Sequence, residues 1–186
     1  MRCFVAFDLP RPVRNHLDAV TAPLRGRYDI RWVPPDQMHL TLLFAGDIDD
    51  AGVDALAGAV DRCDAAPLTL SLQSFGVFPA RGIPRVVWAG LCGDVESVRE
   101  AKGAFEAIGA RLDIPREKRA FTPHVTIGRV KSPFGALALI DQLAERSQDL
   151  KDKPFQVPSL TLYESRLTPR GPRYEVVTRR ALGGAR

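Results

Sequence analysis

Cysteine is scarce and poorly placed for cross-linking. Cys3, Cys63 and Cys92 are odd in number, far apart, and form no CxxC. A disulfide framework is therefore not expected, and a reducing cytoplasm is the default compartment. Long apolar runs are missing too; none approaches the length that crosses a bilayer, so no membrane partner is expected. Residues 1–8 reach an acid, and then Pro10, too soon for a signal peptide. Neither charge sign dominates: 26 Lys and Arg stand against 22 Asp and Glu, a net charge of +4. That balance admits an anionic partner without demanding one. No low-complexity linker divides the 186 residues. Residues 1–186 thus read as one domain, with room for two lobes, and a monomer is expected.

Catalytic signatures of the common kinds are also absent. There is no GxSxG, and no cysteine has a histidine close in sequence, although spatial pairing is left open. No HxH, HExxH or cysteine-rich spacing suggests a metal site. Histidine itself is rare, with three in the chain. His16 lies in a helical stretch beside Leu17, where nothing repeats, and reads as a surface or boundary residue. The other two share a pattern. Met38-His39-Leu40-Thr41-Leu42-Leu43-Phe44 is echoed by Pro123-His124-Val125-Thr126-Ile127-Gly128-Arg129. Both runs alternate apolar residues with others and read as strands. In a strand, residues i and i+2 point to one face, about 6.6 Å apart. His39 and Thr41 therefore share a face, as do His124 and Thr126, while Leu40, Leu42, Val125 and Ile127 point into a core.

Around these strands the chain alternates elements. A first apolar strand at 2–9, read as central, leads to a helix at 10–24. A short strand at 30–33 precedes the first His strand at 38–45, and a helix capped by Asp49 or Asp50 runs to about residue 63. Strands at 67–75 and 85–91 flank a loop at 78–84, and a helix at 94–112 leads to the second His strand at 121–130. A short helix at 136–147, two strand-like runs within 155–167 and a closing strand at 173–180 complete the pattern. Gly183-Gly184 reads as a loose tail. The recurring unit of strands, helix and HxT strand predicts an α+β fold. Two related lobes of antiparallel sheet would face each other across a cleft.

Four readings compete for the paired motif. Both histidines could be satisfied structural residues. They could bind metal, although two histidines fall short of a zinc ligand set and threonine is a poor ligand. A nucleophilic mechanism lacks its usual partners. Paired acid–base catalysis on a phosphodiester uses all four residues. One imidazole serves as neutral base, the other as protonated acid, and the hydroxyls donate to phosphate oxygens.

The paired HxT strands resemble those of the 2H phosphoesterases. The wider setting is similar to their RNA 2',3'-cyclic phosphodiesterase branch, historically called bacterial and archaeal 2'-5' RNA ligases. The opening Arg2-Cys3-Phe4-Val5-Ala6, the Trp32-Val33-Pro34 lead, the 84–90 strand and the late Leu162-Tyr163-Glu164-Ser165 with Gly171 and Tyr174 carry that likeness. The resemblance implies a bilobal LigT-like α+β fold with two antiparallel sheets, outer helices and a pseudo-two-fold axis. It implies hydrolysis of RNA or nucleotide 2',3'-cyclic phosphates to 2'-phosphates with no metal or other cofactor, and reverse 2'-5' ligation. His39 would be the proton donor, His124 the proton acceptor, and Thr41 and Thr126 would hold the phosphate. Arg129 joins that face only if its strand bulges. Phe7, Phe44, Phe78 and Tyr163 are candidates for stacking on a base, with core packing as the competing role. Arg81, Arg116, Lys118, Arg119 and Arg173 could form a basic rim. The residues alone leave open which histidine is acid, and whether the cup binds without turnover or takes small cyclic phosphates or 2'-5' oligonucleotides.

Overall fold

A computed structural model describes residues 1–64, 66–117, 119–151, 154–169 and 171–183. Lys118 and Gly184, singled out above, lie outside the described residues. In chain order the elements are β1 (Arg2–Asp8), α1 (Arg11–Thr21), β2 (Ile30–Trp32), β3 (His39–Asp47), α2 (Asp50–Asp61), β4 (Thr69–Phe78) and β5 (Val86–Gly93). They continue with α3 (Val95–Arg111), β6 (His124–Val130), α4 (Ala136–Arg146), β7 (Phe155–Gln156), β8 (Ser159–Thr168) and β9 (Gly171–Ala181).

Local chemistry explains most of these boundaries. Pro12 occupies the first turn of α1, where a missing N–H costs nothing. Asp49 caps α2 by accepting the Gly52 N–H at 2.8 Å. The strand β4 runs further than alternation suggests. A register shift between Leu72 and Phe75 lets its ladder with β5 resume and carries Phe78 into the sheet, opposite Val86.

All strand pairs are antiparallel, and the order is β7-β4-β5-β6-β3-β1-β8-β9, with β2 added on β6. The path divides into two leaves of four strands, β3-β1-β8-β9 and β6-β5-β4-β7. The leaves join where Leu40 pairs with Val125. As expected, the apolar β1 is interior to its leaf, between β3 and β8. Leu40, Leu42, Val125 and Ile127 are all essentially inaccessible and enter one core. The helices support it: α2 packs on β8 and β9, α3 on β3, and α4 on β4. Among the described residues no helix is long and apolar enough to cross a membrane.

Both His strands carry the same irregularity. Opposite β1, Thr41 pairs with Ala6 and Leu43 with Val5, which leaves Leu42 as an extra residue. Opposite β5, Thr126 pairs with Trp88 and Gly128 with Val87, which leaves Ile127 extra. A bulge of this kind inverts the alternation beyond it. Leu42 and Leu43 are accordingly both buried, as are Ile127 and Gly128. The fifth residue after each histidine, Phe44 in one strand and Arg129 in the other, therefore returns to the His–Thr face.

Candidate active site

The seam between the leaves sets the geometry. Leu40 pairs with Val125 in antiparallel register. Carried one residue each way, that register sets His39 beside Thr126 and Thr41 beside His124. Each imidazole thus has one hydroxyl next but one on its own strand and another across the seam.

The two rings are held by the same local device. His39 Nδ1 lies 2.8 Å from the carbonyl of Gln37, and His124 Nδ1 lies 2.7 Å from that of Thr122. A carbonyl only accepts, so Nδ1–H donates in both rings, and Nε2 is the nitrogen left to take or give a proton. Aromatic walls back each ring. Phe4 stacks on His39 at 4.7 Å between centroids, and Tyr174 meets the same ring edge-on at 5.5 Å. Phe78 meets His124 edge-on at 5.1 Å, with Trp88 at 6.0 Å. Burial behind these walls pushes both imidazole pKa values down, that of His39 to about 4, because the charged form loses its water. For His39, the Gln37 carbonyl and Asp8 oppose that fall, while His124 and Arg129 add to it.

Two cavities meet at the seam. The larger, about 630 Å³, is lined by His124, Phe78 and the stretch from Ile114 to Glu117, with Lys102 and Glu106 of α3. The smaller, about 160 Å³, is lined by His39, Arg31, Trp32, Gln37 and Tyr174. Thr41, Phe44, Thr126 and Arg129 line both, so these are lobes of one cleft with those four side chains at its waist. The waist exists because β3 and β6 diverge past Leu40 and Val125. Lys102 Nζ takes the place of a strand partner there, donating to the Leu42 carbonyl at 3.2 Å and pairing with Glu106 at 2.7 Å.

The other residues singled out in the sequence fall in different places. Phe44 is 64% exposed and lies at the waist, and Arg129 joins it through the bulge. Phe78 lines the His124 lobe. Phe7 does not face the cleft. It is fully buried in the core, because alternation along β1 turns Val5 and Phe7 inward and Phe4 and Asp8 toward the site face. Tyr163 lines neither lobe. Its ring lies behind Phe4 at 5.1 Å, and its hydroxyl donates to Asp8 Oδ1 at 2.6 Å. Burial, and then that hydrogen bond, push the phenol up to about 12. Arg81 is exposed and borders neither lobe. Arg116 and Arg119 border the larger lobe, whereas Arg173 is exposed near Glu175. His16 is a boundary residue, as read, with Nε2 2.9 Å from the Asp149 carbonyl.

Three residues of the site, Asp8, Arg31 and Tyr174, had no site role assigned from the sequence. Asp8 is the Cα partner of His39 across β1 and β3. It accepts from Ser159 and Thr161 on Oδ2 at 2.5 and 2.8 Å and pairs with Arg179 at 3.2 Å. Arg31 and Tyr174 reach the His39 lobe from β2 and β9. Alternation in the short strand 30–32 marks which face Arg31 takes, but not that β6 lies beside it. As for metal, among the described residues no group of three or more His, Cys, Asp or Glu gathers. The cleft offers imidazoles, hydroxyls and guanidiniums, a set made for protons and anions.

Comparison with known proteins agrees with this architecture. The chain matches the model of the LigT like Phosphoesterase family over residues 7–88 and 94–174. It is 30% identical to an RNA 2',3'-cyclic phosphodiesterase of Archaeoglobus fulgidus, over 94% of this chain and 97% of that protein. It is 32% identical to one from Thermus thermophilus, over 99% of this chain and 91% of the relative. Among solved structures, the TT0787 protein of Thermus thermophilus superposes with a TM-score of 0.80 at 28% identity, each chain fully covered. E. coli LigT complexed with 3'-AMP gives 0.76 at 25% identity, covering 98% of both chains. With a cleft built from two HxT strands and a family match over most of its length, the chain belongs to the LigT-like branch of the 2H phosphoesterases, and it is an enzyme of that class.

Proposed function

We propose that this protein hydrolyses 2',3'-cyclic phosphates at RNA ends to 2'-phosphomonoesters, with residues 1–186 acting as one bilobal catalytic domain and as a monomer. The carrying observation is the seam pair of Leu40 with Val125, which brings both motifs to one cleft: Thr41 and Thr126 line both lobes, His39 one and His124 the other, and among the described residues neither ring has a hydrogen-bond partner at Nε2. The RNA 2',3'-cyclic phosphodiesterases that share about 30% identity with nearly the whole chain support the choice of substrate.

In this mechanism the phosphate sits at the waist. His124 Nε2 takes a proton from water as its oxygen bonds to phosphorus. The P–O3' bond breaks, and His39 Nε2–H delivers its proton to O3'. The Thr41 and Thr126 hydroxyls and the Arg129 guanidinium donate to the non-bridging oxygens, where negative charge grows. A lone imidazole as buried as His39 is neutral at pH 7. An anion at the waist favours its protonated form, so substrate arrival arms the acid. Phe44, exposed beside the phosphate position, offers a face for the base. All proton movement is carried by side chains, so the chemistry needs no metal. Attack by a ribose hydroxyl in place of water would run the reaction as 2'-5' ligation.

Hydrolysis of a cyclic-ended oligonucleotide should survive EDTA. It should fall by about 10²–10⁴-fold in His39→Ala and in His124→Ala separately. Undiminished turnover in either variant rejects the mechanism, and tight binding with no product in the unmodified enzyme makes the cleft a binding site only.

A further inference from the structure

Arg31 and Arg129 are direct cross-strand partners on β2 and β6. Like charges set opposite each other on one sheet face repel. Neither guanidinium has a carboxylate within ion-pair distance among the described residues. Both line the His39 lobe beside Tyr174, and both bear on its phenol. Two unneutralised guanidiniums facing one small lobe form a place for anions. Their positions differ, however. Arg129 stands at the waist and borders both lobes, whereas Arg31 borders only the His39 lobe. A phosphate at the waist answers Arg129 and leaves Arg31 facing a different point along the lobe.

The direction of the substrate follows from the hydrolase reading above, on which this inference rests. If His39 protonates the departing O3', the ribose lies on its side, and the strand continues from that ribose toward its 5' end. We propose that Arg31 contacts the phosphodiester one nucleotide upstream of the cyclic end, so that the cleft selects polynucleotide ends over isolated nucleoside cyclic phosphates. A guanidinium suits this role, since its planar fork binds two oxygens of one phosphate at once. Arg31 is exposed on a three-residue strand, so its replacement leaves the core untouched.

The test compares adenosine 2',3'-cyclic phosphate with the dinucleotide ApA ending in the same cyclic phosphate. Arg31→Met should raise KM for the dinucleotide about tenfold while leaving that for the mononucleoside within about twofold. The slope of log KM against log salt for the dinucleotide should shrink by about 0.7, one single-strand phosphate contact. Arg31→Lys should keep that slope and regain part of the affinity. Equal losses on both substrates would assign Arg31 to the reacting phosphate and overturn the proposal, as would no loss on either. Should the unmodified enzyme turn over neither substrate, the hydrolase reading falls. The same comparison then runs on binding of adenosine 2'-phosphate and of ApA 2'-phosphate, where a loss confined to the dinucleotide still upholds the Arg31 contact and an equal loss or none still overturns it.

Discussion

His39 and His124 reach the same state by the same route. Each donates Nδ1–H to the carbonyl two residues earlier, and each is walled by aromatic rings that keep water off the charged form. The consequence is a pH dependence with a definite sign. An unfolded histidine titrates near 6.5, and folded His39 near 4. Between those values the unfolded chain binds more protons, so stability is complete above pH 6.5 and drains away as pH falls toward 4. By pH 4 the loss from His39 approaches about 3 kcal/mol. Urea midpoints between pH 7.5 and 4.5 should show the decline, and His39→Gln should flatten it. Anion binding should run the other way and tighten as pH falls, because a bound phosphate favours the imidazolium; calorimetry should detect proton uptake on binding. Asp8 is the other residue of consequence. Its carboxylate gathers three hydroxyl donors and one guanidinium from β8 and β9. Asp8→Asn puts an amide N–H₂ against those donors and should cost about 2 kcal/mol or more in denaturant unfolding.

At the scale of elements the two bulges matter most. Paired one to one with the neighbouring strand, a residue five positions after the histidine would point away from the cleft; the extra residue in each strand brings Phe44 and Arg129 back to it. Deleting Ile127 takes out the extra residue itself and leaves Arg129 four positions after His124, still opposite Val86 and on the cleft face, so activity should fall much less than in Arg129→Ala at a temperature where the shortened strand stays folded. Steady-state kinetics on the two variants, with circular dichroism as the fold control, checks it. A deletion as damaging as Arg129→Ala would show that the bulged backbone itself is needed, beyond the face it gives Arg129. The strand sequences held a partial trace of these bulges: Leu42-Leu43 places two apolar residues in succession, as a break in alternation does. Ile127-Gly128 is less telling, because glycine shows no preference for either face. Its reason is spatial: a Cβ at Gly128 would come within 2.5 Å of Ile30 Cδ1.

For the molecule as a whole, the narrow seam at Leu40 and Val125 joins the leaves and carries the site. Leu40 and Leu56 are equally inaccessible, one at the seam and the other in α2. Either changed to alanine should cost about 2–5 kcal/mol of stability. Leu40→Ala should in addition lower kcat well below that of Leu56→Ala at a temperature where both stay folded, because it loosens the register that opposes imidazole to hydroxyl. Matching kcat values would mean that the site does not depend on the seam.

What the sequence determined by itself was everything written in a short period. The twofold repeat of strands put His39 with Thr41 and His124 with Thr126, turned Leu40 and Val125 inward, and named phosphate as the anion those four residues suit. The helices followed from apolar spacing. Tertiary structure alone decided that the two motifs lie side by side in opposite directions, so that each ring faces the other's hydroxyl. It also decided that Phe4 rather than Phe7 backs His39, that Tyr163 serves Asp8 rather than a base, and that Arg31 stands against Arg129. These are contacts between residues up to 155 positions apart. A local pattern records which face a side chain takes, while its neighbour across the sheet is chosen by the packing of the whole chain.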